Sequence, residues 1–97
     1  MAPARRTVHL TISGRVQGVW YRGWSMDQAR ALNLDGWVRN RTDGSVETLV
    51  WGDKTTIDAL RVRVNEGPQW GRVDRVDVTV ETGASERPDG FNIRSDR

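Results

Sequence analysis

At 97 residues the chain has the length of one domain, with room for one modest core. It has no cysteine, which excludes disulfides and thiolate metal sites, and no apolar run near the roughly 18 to 20 residues of a membrane span. Its 15 Lys and Arg against 13 Asp and Glu leave a mild +2; Lys54 is the lone lysine, and the arginine forks that make up the rest suit oxyanions, although an arginine-rich proteome would look the same.

Residues 1–6 read as a short flexible tail. No apolar segment stands behind them as a signal peptide would require, so the expected location is cytoplasmic. Val8, Leu10 and Ile12 alternate with Thr7, His9, Thr11 and Ser13, a strand with one buried face that Gly14 is expected to end. A loop over residues 14–18 leads into a helix over about residues 22–34, with Tyr21, Ser25, Ala29 and Leu32 on one side. Asn33 to Gly36 mark its exit. A second strand is expected over residues 37–41, an Asp43-Gly44 hairpin turn follows, and a third strand runs over residues 45–51. Asp53 offers an N-cap to a helix reaching about Asn65, with Ile57, Leu60 and Val64 as its apolar stripe and Gly67-Pro68 as its stop. Val76, Val78 and Val80 give a fourth strand. A polar loop over residues 83–90 follows, and Phe91 and Ile93 mark a short last strand.

That order, β-α-β-β-α-β with an additional terminal strand, predicts an α+β ferredoxin-like sandwich. Two helices cover one face of an antiparallel sheet of four or five strands, with right-handed crossovers. Fold alone does not give function.

Between the first strand and first helix, Gly14 and Gly18 bracket three residues. Backbone amides in such a turn can converge into an anion nest, and the helix N-terminus behind them adds its own. Arg22 falls in the first helical turn, where a cation opposes the helix dipole unless an anion sits between. By itself a Gly-x-x-x-Gly loop is equally a plain strand-to-helix turn; it is neither a Walker A loop nor Gly-x-Gly-x-x-Gly. Asn40 shares strand parity with Gly36 and Val38, and reads either as a polar group aimed at an active edge or as a turn-initiating residue.

Two segments together resemble the acylphosphatase family. Gly14-Arg15-Val16-Gln17-Gly18-Val19-Trp20-Tyr21-Arg22 matches its first signature throughout, and residues 36–52, from Gly36-Trp37-Val38-Arg39-Asn40 to Gly52, match its second. Gly67-Pro68, Arg72-Val73 and the Phe91-x-Ile93-Arg94 ending extend the similarity over residues 7–97. Gly71 departs, standing where the family pattern has alanine.

The resemblance implies an enzyme that hydrolyses the carboxyl–phosphate bond of acyl phosphates to a carboxylate and inorganic phosphate. It implies Arg22 and Asn40 as catalytic residues, Arg22 on the phosphoryl oxygens and Asn40 on the attacking water. The loop Arg15, Val16, Gln17, Gly18, Val19, Trp20, Tyr21 and Arg22 would bind the phosphate or a similar anion. No metal, other cofactor, nucleic acid or membrane is expected, and the protein is expected to be a monomer.

Other residues have plainer readings. His9, the lone histidine, faces outward by parity and is not expected to be catalytic. Trp37 and Trp51 are expected to pack across the sheet. Trp20 could line the acyl pocket or simply pack; Trp24 and Trp70 are unassigned. Two rival classes share the fold. An RNA-recognition domain would need an aromatic stretch on the third strand, which residues 45–51 lack. A domain serving a larger enzyme, as in hydrogenase-maturation carbamoyltransferases, is less expected for a chain ending at Arg97.

Overall fold

The computed structural model describes residues 5–18, 20–81 and 87–95. Five strands and two helices follow in the order β1 (Arg5–Arg15), α1 (Tyr21–Ala31), β2 (Asp35–Asn40), β3 (Val46–Asp53), α2 (Lys54–Glu66), β4 (Arg72–Glu81) and β5 (Phe91–Ile93). The sheet order is β4-β1-β3-β2-β5. β1, β3, β2 and β4 pair antiparallel, as the ferredoxin-like order requires. β5 runs parallel to β2, so the sheet is mixed rather than wholly antiparallel.

Strand parity sorts the residues onto two faces. Val8, Leu10 and Ile12 of β1, Val46 and Val50 of β3, Val38 of β2 and Phe91 of β5 are buried in one core with Tyr21 and Ala29 of α1 and Ile57, Leu60 and Val64 of α2. The other face carries a polar cluster. Glu47 accepts from His9 Nε2 at 2.7 Å and from Arg39 Nε at 2.6 Å. Trp37, buried on that face, has the Arg39 and Arg94 guanidiniums over its ring, each 4.7 Å from the ring centre. In the ladder Leu49 stands directly opposite Trp37 and Trp51 opposite Asp35, which places the two tryptophans as diagonal neighbours on this face.

Local chemistry explains the boundaries. α1 exits through Asn33 at φ 56, with Leu34 N–H donating to Ala29 O and Asn33 N–H to Arg30 O, the Schellman pattern. The Asp53 side chain accepts from Thr56 N–H at the start of α2, and Gly67 caps its end. The hairpin between β2 and β3 is set by Asp43, whose carboxylate accepts from Ser45 N–H at 2.9 Å and from its hydroxyl at 2.6 Å.

β1 is longer at both ends than its alternation suggests. Arg5 and Arg6 pair with Asp53 and Gly52, so the tail expected over residues 1–6 joins the sheet by Arg5; residues 1–4 lie outside the described residues. Gly14 does not end β1. It sits at a register shift opposite Val73 with φ 131, and a Cβ there would fall 2.2 Å from Arg72 O. Its lack of a side chain serves close strand approach at a bulge. Of the polar loop expected over residues 83–90, residues 83–86 lie outside the described residues; Arg87 forms an ion pair with Asp35.

Candidate active site

β1 ends at Arg15, and residues 16–20 carry the chain into α1. Val16 drops into the core and anchors the loop. Gln17 turns the other way: its Nε2 donates to Arg41 O and to Ser45 O, both at 2.8 Å, and ties the loop to the β2–β3 hairpin. Gly18 takes φ 74 with nothing near the position of a Cβ, so the backbone angle itself favours glycine there. Trp20 takes φ 60 and ψ 28 at the N-cap position and supplies no side-chain cap. The first turn of α1 contains no acidic residue, and Arg22 lies in it.

Tyr21 fixes the base of that turn. Its hydroxyl donates to Val64 O of α2 at 2.9 Å, and its ring packs tilted against Trp24 at 5.4 Å. Burial pushes its hydroxyl far above the ordinary tyrosine range, so it stays a neutral donor. Ser25 Oγ donates to Arg22 O at 3.0 Å one turn further on.

Across from the loop, β2 ends at Asn40, opposite Val46 on the helix-covered face. A cavity of about 300 Å³ lies between, lined by Val16, Gly18, Trp20, Tyr21, Arg22, Gly23, Asn40 and Ile93. Among the described residues, Asn40 Oδ1 is the only buried side-chain nitrogen or oxygen without a hydrogen-bond partner. Unpartnered buried acceptors are rare, because each forfeits its hydration without compensation. This one shares the cavity with an arginine and a helix N-terminus, whose first amides lack intrahelical partners.

The structure therefore brings together Val16, Gly18, Trp20, Tyr21, Arg22 and Asn40. Arg15 and Gln17 do not line the cavity: Arg15 is the last residue of β1, paired with Arg72, and the Gln17 side chain is spent on the hairpin. Val19 lies outside the described residues. Sequence reasoning passed over Ile93 and Gly23. Phe91 and Ile93 marked a short last strand, but nothing local announced that β5 would lie beside β2. A second groove of about 350 Å³, between α2 and β4, contains none of the candidate site residues. Among the described residues no three His, Asp or Glu side chains gather as a metal ion would need.

The element order and sheet topology make the chain a ferredoxin-like α+β sandwich. The acylphosphatase family model matches residues 8–93. An acylphosphatase of Rhodospirillum rubrum is 44% identical over 88 residues, covering 86% of this chain and 97% of that one. One from Thiobacillus denitrificans is 46% identical over 91 residues, covering 94% and 99%. The solved structure of an acylphosphatase from Coxiella burnetii superimposes with a TM-score of 0.86 at 33% identity, covering 93% of each chain. The chain belongs to the acylphosphatase family, whose members hydrolyse acyl phosphates.

Proposed function

We propose that the cavity between the 16–20 loop and Asn40 is where this chain hydrolyses acyl phosphates. The carrying observation is Asn40 Oδ1, a buried acceptor with no partner, in the same cavity as Arg22. The phosphoryl group is held by the Arg22 guanidinium and by backbone amides of the loop and first helical turn. The dipole conflict of Arg22 is resolved by that dianion. Water then donates one hydrogen to Asn40 Oδ1, which aims its oxygen lone pair at phosphorus.

Attack forms a bond between the water oxygen and phosphorus and breaks the bond from phosphorus to the acyl oxygen, which leaves as carboxylate. An amide cannot take a proton, so the water proton passes to a phosphoryl oxygen of the substrate. The leaving group is already good, and positioning with charge stabilisation is what such a transfer demands. We further infer a monomer acting in the cytoplasm on a small molecule, with inorganic phosphate or a similar anion able to occupy the loop, and with no nucleic-acid, membrane or cofactor requirement. Among the described residues no helix is long and apolar enough to cross a membrane.

Benzoyl phosphate hydrolysis tests this. Arg22→Ala is expected to lower kcat/KM by at least about 10² to 10³ and to weaken inhibition by inorganic phosphate. Asn40→Ala is expected to lower kcat by a similar factor while phosphate inhibition persists. Near-normal turnover in the Asn40 variant would remove its water-orienting role.

A further inference from the structure

We propose that Trp20 makes this site selective for acyl phosphates whose acyl group is a planar apolar body, an aroyl phosphate above all, by offering the indole as its stacking platform. The proposal rests on the acyl phosphate reading of the cavity and assigns its other end.

Exposure orders the cavity lining from inside to outside. Asn40 Oδ1 is buried, and Arg22 is half-buried. Trp20 is 70% exposed and Ile93 42% exposed, and both line the same cavity. Val16 and Tyr21, each 1% exposed, line the inner wall beside Asn40, and what the outer rim offers is apolar surface, the indole and Ile93. In-line attack from the Asn40 side sends the acyl oxygen away from Asn40, so the acyl body is directed toward the exposed indole and Ile93.

Trp20 does little for the core, yet it is closely held. Its backbone adopts the left-handed conformation, which a bulky side chain seldom takes and which concentrates at functional sites. Its ring lies against the first turn of α1 at Gly23: a Cβ there would stand 2.3 Å from Cε2, 2.4 Å from Nε1 and 2.6 Å from Cζ2 of the indole. Gly23 is therefore a seat for the ring. One side is fixed while most of the ring stays open. An aromatic fixed before binding loses little freedom when a flat ligand stacks on it.

The test compares kcat/KM for benzoyl phosphate with kcat/KM for acetyl phosphate, which presents the same phosphoryl end and only a methyl beyond the carbonyl. Trp20→Asn removes the indole with a residue that tolerates the left-handed backbone. Gly23→Ala keeps the indole but pushes it off its seat, and Trp20→Phe keeps an aromatic face. The benzoyl-to-acetyl ratio is expected to fall about tenfold in Trp20→Asn, the size of one aromatic contact. It is expected to fall in the same direction in Gly23→Ala and to stay within about threefold in Trp20→Phe. An unchanged ratio in Trp20→Asn overturns the role of the indole while the hydrolase reading stands. Hydrolysis of neither substrate by the unmodified protein overturns the hydrolase reading, and this proposal with it.

Discussion

The chain enters a helix from a strand twice, and the two junctions are built on opposite plans. β3 passes into α2 with no intervening loop, and Asp53 closes the helix start by accepting from Thr56 N–H at 2.8 Å. β1 reaches α1 through residues 16–20, with a left-handed Trp20 that caps nothing, no acidic residue in the first turn, and Arg22 placed against the dipole. The first plan satisfies the helix from within. The second leaves the helix start without a side-chain cap, as the proposed anion site requires. A helix start that serves only the fold closes its own donors, whereas one that serves a site keeps them available.

The variants at Arg22 and Asn40 are expected to carry the largest effects, because the proposed mechanism has them hold phosphate and water. Next comes a change that makes the β1–α1 junction resemble the β3–α2 one. Trp20→Asp places a carboxylate at the N-cap of α1, where it favours the helix but repels a phosphoryl group. Relative to the neutral Trp20→Asn, inorganic phosphate inhibition is expected to weaken about tenfold or more, since like charges a few ångströms apart near a surface repel by kcal/mol amounts. Stability is expected to be equal or higher by up to about 1 kcal/mol. Inhibition constants and thermal melts of the two variants check both. Equal phosphate inhibition would mean that the helix start does not face the anion.

Much of this contrast was legible in the sequence, because it rests on local signals. Asp53 ahead of Thr55-Thr56 announced a cap, Gly67-Pro68 a stop, and Asp43-Gly44 a turn, each through chemistry confined to a few neighbours. The loop, Arg22 and Asn40 were singled out by motif. What stayed hidden depends on partners distant in the chain. Gly14 looked like a terminator because its reason, the approach of Arg72 O, lies across the sheet. Gln17 looked like one more loop amide because its acceptors are Arg41 O and Ser45 O. Ile93 joined the cavity only because β5 runs parallel beside β2, an arrangement no periodicity encodes. The orphaned oxygen of Asn40 is likewise a property of the assembled cavity.

Gln17 offers a smaller test of what sets the open junction apart, since it is the strut between the loop and the hairpin that follows Asn40. Gln17→Ala removes two hydrogen bonds. At about 0.5 to 1.5 kcal/mol each, the expected loss of stability is roughly 1 to 3 kcal/mol. Turnover should fall more than KM rises, because water and phosphate lose their mutual register. A variant as stable and active as the unmodified protein would show the loop to be held by Val16 alone. Asp53→Ala probes the closed junction. It is expected to cost about 1 kcal/mol of stability, or roughly 4 to 8 °C in Tm for a domain of this size, with kcat/KM unchanged.

The smallest effect separates the two faces of the sheet. Asn40 leaves an acceptor open on the helix-covered face, while Glu47, opposite the neighbouring Arg39 in the ladder, has both its oxygens engaged on the other face. Burial alone would raise the Glu47 carboxyl, but the hydrogen bonds and charges of His9 and Arg39 outweigh it and hold the group below its ordinary range. The unfolded chain therefore takes up that proton at a higher pH than the folded one. The resulting stabilisation is present above the ordinary glutamate value of about 4.3 and is lost as pH falls through the lower folded value. Tm is expected to decline on acidification below about pH 4.5, and Glu47→Gln should flatten part of that decline. It should flatten only part, because hydrogen bonds from Ser45 to Asp43 and from Lys54 to Asp58 lower those carboxyls as well. An acid limb of the Tm profile identical in Glu47→Gln would show that the His9–Glu47–Arg39 cluster contributes nothing to folding, leaving the two faces alike in that respect.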